Sequence, residues 1–169
     1  YVIFDWQPSS PTSGSAHSHG IGSTAHFASD VQAALQAFSH GLVFENAVWD
    51  GAIQDKRSHG KGVMVWNNGT RCAGEFAHGK LTGTAIVNWH DGSHFEGQFV
   101  DGKEHGEGTY VDTNGDVYHG LYASGSRNGP GTYTWVHGDT YTGEFADNVR
   151  HGEGTMVYPL LGQRQVGIF

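Results

Sequence analysis

The stretch Phe95–Val117, FEGQFVDGKEHGEGTYVDTNGDV, is one copy of a 23-residue unit that recurs in phase along the chain. Units begin at Trp49, Cys72, Phe95, Tyr118 and Tyr141, and a sixth begins at Gln165 and runs to Phe169. A fixed period of this length marks a repeat array, in which each unit buries its apolar face only against its neighbours. The third position of the unit is glycine throughout (Gly51, Gly74, Gly97, Gly120, Gly143, Gly167). The twelfth is glycine in every complete unit (Gly60, Gly83, Gly106, Gly129, Gly152), and the fourteenth in all but Ala85. The fifth is large and apolar, from Ile53 to Phe169, and the first is aromatic except at Cys72 and Gln165.

This pattern encodes two strands and two turns. Positions one to five alternate with period two, which puts the first, third and fifth residues on one face of a strand. Positions twelve to eighteen read as a second strand, with the twelfth, fourteenth, sixteenth and eighteenth residues sharing a face. Val100-Asp101-Gly102-Lys103-Glu104 is the kind of turn that joins them, and steps such as Asn68-Gly69, Asp91-Gly92 and Asn114-Gly115 close the units. Asn-Gly and Asp-Gly steps between apolar strands supply the positive φ that a tight hairpin needs. Glycine inside a strand is destabilising unless the space beside it is used. The expectation is that rings of each hairpin lie over the Cβ-less backbone of its neighbour. The fold class is therefore all-β: an antiparallel meander of consecutive β-hairpins forming an elongated, twisted ribbon.

The pattern Tyr-x-Gly-x-Phe, then x-His-Gly-x-Gly-Thr-Tyr, then a Gly-closed turn resembles the MORN repeat. It is clearest in YTGEFADNVRHGEGTMVY (Tyr141–Tyr158) and in Phe95–Tyr110, and the resemblance extends from Trp49 to Phe169. The unit at Cys72 departs most, with Thr82-Gly83-Thr84-Ala85 where the pattern has His-Gly-x-Gly. A deviation is expected in its second strand, though not in the register of the array. The resemblance implies non-catalytic work. Such repeats occur in cytoskeletal and ciliary scaffolds, radial-spoke heads, junction-forming proteins and the regulatory parts of lipid kinases; where family members are enzymes, catalysis sits in another domain.

Ahead of the array the chain changes character. Tyr1-Val2-Ile3-Phe4-Asp5-Trp6 is apolar and suits an edge strand or a segment docked in a groove. Residues 7–29 are mostly Ser, Thr, Gly, Pro and His, with no Asp, Glu, Lys or Arg. Such a composition cannot bury enough to fold alone and reads as an extended arm. Asp30 suits an N-cap; Val31, Ala34, Leu35 and Phe38 follow with helical spacing, and Gly41 supplies a stop. A short helix is expected to cap the first hairpin, and Leu42-Val43-Phe44 with a turn at Glu45-Asn46 to form a shortened hairpin leading into Trp49. The domain organisation is thus an arm at 1–29, a cap at 30–48 and the array at 49–169. The chain starts at Tyr1 rather than Met, as a trimmed, processed or incomplete start has it.

Charge narrows the partners. The net charge is −8 with histidines neutral, and acids occur in every complete unit. Nucleic acid calls for clustered positive charge, and anionic membranes attract polybasic segments; neither pattern is present, so nucleic acid is excluded as a partner and membrane lipid is disfavoured. No apolar run approaches the roughly 18 residues of a spanning helix. The only cysteine, Cys72, stands at an aromatic position and reads as a small buried apolar side chain.

Other constellations read as structural. His59, His105 and His151 share the eleventh position and suit polar turn residues; His90 and His94 flank a turn, so the helical logic of a zinc pair does not apply. The repeated His-Gly-Glu-Gly lies in a strand, whereas a phosphate cradle needs a helix N-terminus. Glu104, Glu107 and Glu153 read as solvated. No catalytic, cofactor or metal residue is assigned. The candidate interaction residues are Tyr1, Ile3, Phe4 and Trp6 of the arm, Val63, Val65, Val111 and Val157 on the second face of the sheet, and Ile168 and Phe169 on the last strand. If Phe169 is the natural end, that strand is an open edge suited to pairing with a second copy. The function expected is a non-enzymatic, intracellular scaffold or accessory subunit that holds other proteins, in the resembling families a cytoskeletal or ciliary one. Peripheral phospholipid binding is the alternative.

Overall fold

The computed structural model describes residues 42–169. They form one antiparallel sheet of twelve strands that follow one another in chain order. These are β1 (Leu42–Val43), β2 (Ala47–Gln54), β3 (Arg57–Trp66), β4 (Arg71–Ala77), β5 (Lys80–Asn88), β6 (His94–Val100), β7 (Lys103–Val111), β8 (Val117–Ala123), β9 (Ser126–Thr134), β10 (Thr140–Ala146), β11 (Val149–Tyr158) and β12 (Gln163–Ile168). A single 3₁₀ turn, Pro159–Leu161, accommodates the longer connection before β12. The shortened hairpin expected ahead of Trp49 is present: Leu42 pairs with Trp49, and the Phe44 N–H donates to the Ala47 carbonyl at 2.7 Å. The arm and the capping helix expected at residues 30–41 lie outside the described residues.

Local chemistry sets the two turns. At Asp101-Gly102 the φ angles are 51° and 83°, and at Asp147-Asn148 they are 47° and 71°. Two consecutive left-handed residues make the primed turn whose twist matches that of the flanking strands. The turns between units are held by side chains instead. The Asp112 carboxylate accepts the Asn114 and Asp116 N–H groups at 2.7 and 3.1 Å, and Asn68 and Asp91 accept from Thr70 and Ser93 in the same way. Each unit is also tied to the one before it. The N–H groups of Gly79, Gly102, Gly125 and Asn148 donate to the carbonyls of Ser58, Leu81, Glu104 and Arg127 at 2.8–3.1 Å.

The twelfth-position glycines do something the alternation did not suggest. On β6 and β7, Gly97 pairs with Gly108 but the next residue, Gln98, pairs with His105. Gly106 and Glu107 are looped out of that ladder and pair with Tyr122 and Leu121 on β8. The same irregularity recurs after Gly51, Gly74, Gly120 and Gly143. It is a bulge, and the twelfth residue occupies its left-handed position, with φ of 63° at Gly106 and 61° at Gly152. The twelfth residue therefore does not share the ring-bearing face. The bulge also shifts the alternation, so that the tenth position turns onto that face opposite the fifth: Phe76 stands across from Leu81, and Phe99 across from Glu104.

The ring-bearing face holds the core. Trp49, Phe95, Tyr118 and Tyr141, all at the first position, are fully or almost fully buried, as are Phe76 and Phe99 at the fifth. The glycines make room for them, but within the unit rather than across units. A Cβ at Gly97 or Gly108 would overlap the Phe95 ring, one at Gly120 or Gly131 would overlap Tyr118, and one at Gly143 or Gly154 would overlap Tyr141. The expected stacking on a neighbour's glycines is thus corrected: each ring lies back over its own hairpin. The unit at Cys72 keeps its second strand, contrary to expectation. β5 pairs with β4 and β6 through the same bulge as the other units, and Gly83 has the bulge φ of 64°.

Candidate interaction surface

The rings link the units into a ladder. From Phe95 onward each first-position ring meets the fifth-position ring of its own unit and that of the next, at steep angles, whereas Trp49 meets only that of the next unit, Phe76, at 4.8 Å. Phe95 meets Phe99 at 5.2 Å and Tyr122 at 5.0 Å; Tyr118 meets Tyr122 at 5.3 Å and Phe145 at 4.9 Å; Tyr141 meets Phe145 at 5.3 Å and Phe169 at 4.8 Å. Edge-to-face contacts of this kind add about 0.5–1.5 kcal/mol each beyond burial. The polar tips of these residues reach the bulge. Trp49 Nε1–H donates to the Ala52 carbonyl at 2.9 Å, Tyr118 O–H to Leu121 at 3.0 Å and Tyr141 O–H to Glu144 at 3.1 Å. The ladder stops where Cys72 replaces the ring; there Leu81 and Ala85, both buried, occupy the space. Burial pushes the Cys72 thiol well above its ordinary range, which keeps it protonated and unreactive.

The tenth position carries the variation. Ser58, Leu81 and Glu104 are buried there, whereas Arg127 is half-buried and Arg150 exposed. Glu104 is 6% exposed, which corrects its reading as a solvated residue, and burial raises its pKa above the usual carboxylate value. Each arginine lies among three rings. The Arg127 Cζ is 5.5 Å from the centroids of Tyr118 and Tyr133 and 5.7 Å from that of Phe145. Arg150 is 5.4 Å from Phe169, 5.5 Å from Tyr141 and 5.9 Å from Trp135. Between them a groove of about 620 Å³ opens, lined by Arg127, Arg150, Tyr133, Trp135, Phe145 and Phe169 among others, and no Asp or Glu side chain lines it. Arg127 donates to the Asn148 carbonyl at 2.9 Å. Among the described residues, neither arginine has a carboxylate within ion-pair distance; the two ion pairs found are Lys80–Asp101 and His137–Asp139. Asp116 is engaged elsewhere: it accepts from the Tyr133 hydroxyl at 2.9 Å and the Val136 N–H at 2.8 Å.

The residues singled out from sequence fall on different parts of the molecule. Val63, Val65, Val111 and Val157 are half-exposed on the second face. A shallow depression near β3–β5 on that face is lined by Lys61, Val63, Glu75 and Thr84 among others. Ile168 is exposed, while Phe169 belongs to the ring ladder and reaches the groove. Tyr1, Ile3, Phe4 and Trp6 lie outside the described residues. Arg127 and Arg150 were missed, although the tenth column of the repeat changes chemistry at them. His59, His105 and His151 stand in strands beside the bulge rather than in turns, and no group of three potential ligands among the described residues is placed to hold a metal.

A family model described as the MORN repeat matches residues 49–71, 95–117, 118–140 and 141–159, more than half of the chain. The chain belongs to the MORN-repeat family. The segment 72–94, where Cys72 and Ala85 replace the ring and the glycine, falls outside these matches but continues the sheet, so the MORN geometry outlasts the sequence signature. MORN repeats are found in protein-interaction and membrane-binding modules, and the family is generally non-enzymatic. No curated protein matches the chain.

Proposed function

We propose that this MORN protein is a non-enzymatic interaction scaffold, an accessory subunit that holds other proteins on the ring-bearing face of its ribbon. The observation that carries this reading is the groove between Arg127 and Arg150, where a face buried along most of the sheet opens to solvent with rings as its floor. Half-buried Tyr, Trp and Arg side chains are the types that dominate protein interfaces. The family resemblance extends the reading to an intracellular assembly of the cytoskeletal or ciliary kind.

Peripheral phospholipid binding is the second reading, and the membrane-binding members of the family favour it. The net charge of −8 opposes it, since an acidic ribbon is repelled by an anionic bilayer. Cross-linking in cells followed by isolation of the full chain tests the first reading, and co-sedimentation with phosphoinositide vesicles at physiological salt tests the second. The scaffold reading expects specific protein cross-links that trace to the Tyr133–Trp135 face and no vesicle binding. Salt-sensitive vesicle binding without protein cross-links reverses the order.

A further inference from the structure

Resting on the scaffold reading, we propose that Arg127 and Arg150 form a two-point carboxylate-binding site for an acidic segment of the partner protein. Three observations converge on it. Both guanidiniums lie over rings, and neither has a carboxylate partner among the described residues. The groove between them is lined by two arginines and by no Asp or Glu side chain, although the chain as a whole is acidic. Its floor, Tyr133 and Trp135, offers apolar surface to whatever lies between two acidic side chains. A membrane fits the same groove poorly. Lipid phosphates are met by basic side chains that project from a surface, whereas these guanidiniums lie against rings, with acidic repeats on the same ribbon.

The spacing specifies the ligand further. Arg127 and Arg150 occupy the same place in successive units, two strands apart, which is about 10 Å at the usual strand separation. A polyproline-II segment rises about 3.1 Å per residue with three residues per turn, so side chains three apart point the same way about 9 Å from one another. An acidic residue at every third position, with apolar residues between, matches both arginines and the ring floor. Guanidinium–carboxylate pairs are the strong, geometrically selective hydrogen bonds such a site would use.

Calorimetric titration of the full chain with acetyl-(Glu-Leu-Pro)₄-amide, and with the same peptide carrying Gln for Glu, tests the site. The Glu peptide is expected to bind at least about tenfold more tightly than the Gln peptide, in keeping with charge-assisted pairs, and to weaken as salt is raised. Arg127→Gln with Arg150→Gln should abolish that preference. Because these substitutions also remove ring contacts, Val149→Glu provides a second variant: Val149 is exposed in the groove wall, and a carboxylate there should weaken the Glu peptide severalfold with no change in melting temperature. Lys61→Gln with Lys103→Gln removes the same charge away from the groove and should leave binding within about twofold. Equal affinity for the Glu and Gln peptides, or a preference unaffected by both groove variants, overturns the proposal. So does arginine-dependent binding to phosphatidylserine vesicles without peptide binding, which would reassign the arginines to lipid phosphate. If cross-linked partners are recovered equally with wild type and the double arginine variant, the site is overturned while the scaffold reading stands; if neither recovers any, the scaffold reading itself fails.

Discussion

Gly143 and Gly167 occupy the same position of the repeat and face opposite constraints. A Cβ at Gly143 would run into the Tyr141 hydroxyl and the backbone of β11, whereas one at Gly167 would meet nothing. Gly143→Ala is expected to cost about 1–3 kcal/mol, as overpacking does, and Gly167→Ala to change stability by less than about 0.5 kcal/mol; urea unfolding of both variants checks the contrast. The first-position residues allow a gain as well. Trp49, Tyr118 and Tyr141 each donate to the carbonyl beside their bulge, and Phe95 has no donor to offer Gln98. Phe95→Tyr should stabilise the fold by up to about 1 kcal/mol, and Tyr118→Phe should lose a similar amount. Glu104 contributes a pH dependence. Burial raises its folded-state pKa, so the native chain holds this proton more tightly than the unfolded chain does. Stability is then highest below the ordinary carboxylate value and falls as pH rises toward and through the raised folded value. Glu104→Gln should raise the melting temperature at neutral pH and flatten its dependence on pH across that interval. An unchanged slope would show that Glu104 is not its source.

At the scale of the strand pair, Cys72 and Ala85 act as one substitution. Everywhere else in the complete units a ring at the first position faces glycine at the fourteenth; on β4 and β5 a small thiol faces a methyl group, with Leu81 filling the remainder. Cys72→Phe alone overpacks the pair, and Ala85→Gly alone leaves a gap and loosens a strand, each costing on the order of 1–3 kcal/mol. Together they restore the arrangement of Phe95 over Gly108, so a double-mutant cycle should give a favourable coupling of about 0.5–3 kcal/mol. The pairing of these two positions is visible in the sequence once the ring is known to lie over its own hairpin. Without that knowledge, the departure at Thr82-Gly83-Thr84-Ala85 looks like a damaged strand.

Among the described residues every strand pairs only with its chain neighbours. Stability is then close to a sum of unit and nearest-neighbour contributions. Ending the chain at Thr140 removes the last hairpin and β12 but no contact within β1–β7. The shortened chain is expected to retain its β circular-dichroism signal and to unfold at a lower temperature with a smaller urea m-value, since less surface is exposed on unfolding. Wholesale unfolding would show that the units are not additive. The same truncation removes Arg150 and Phe169, and with them half of the groove.

The sequence by itself determined the period, the turns and the strand order, because those depend on local chemistry: an Asp-Gly or Asn-Gly step needs no distant partner to set its φ. It also showed that glycine columns and aromatic columns belong together. Tertiary structure alone decided which way each column points. The bulge at the twelfth glycine shifts the alternation along the second strand, so Glu104, read as solvated, is turned into the core, and Arg127 and Arg150 are brought onto the rings. Where the array opens into a groove was likewise beyond a period of two or of 23, because it depends on rings and guanidiniums supplied by successive hairpins meeting across the sheet.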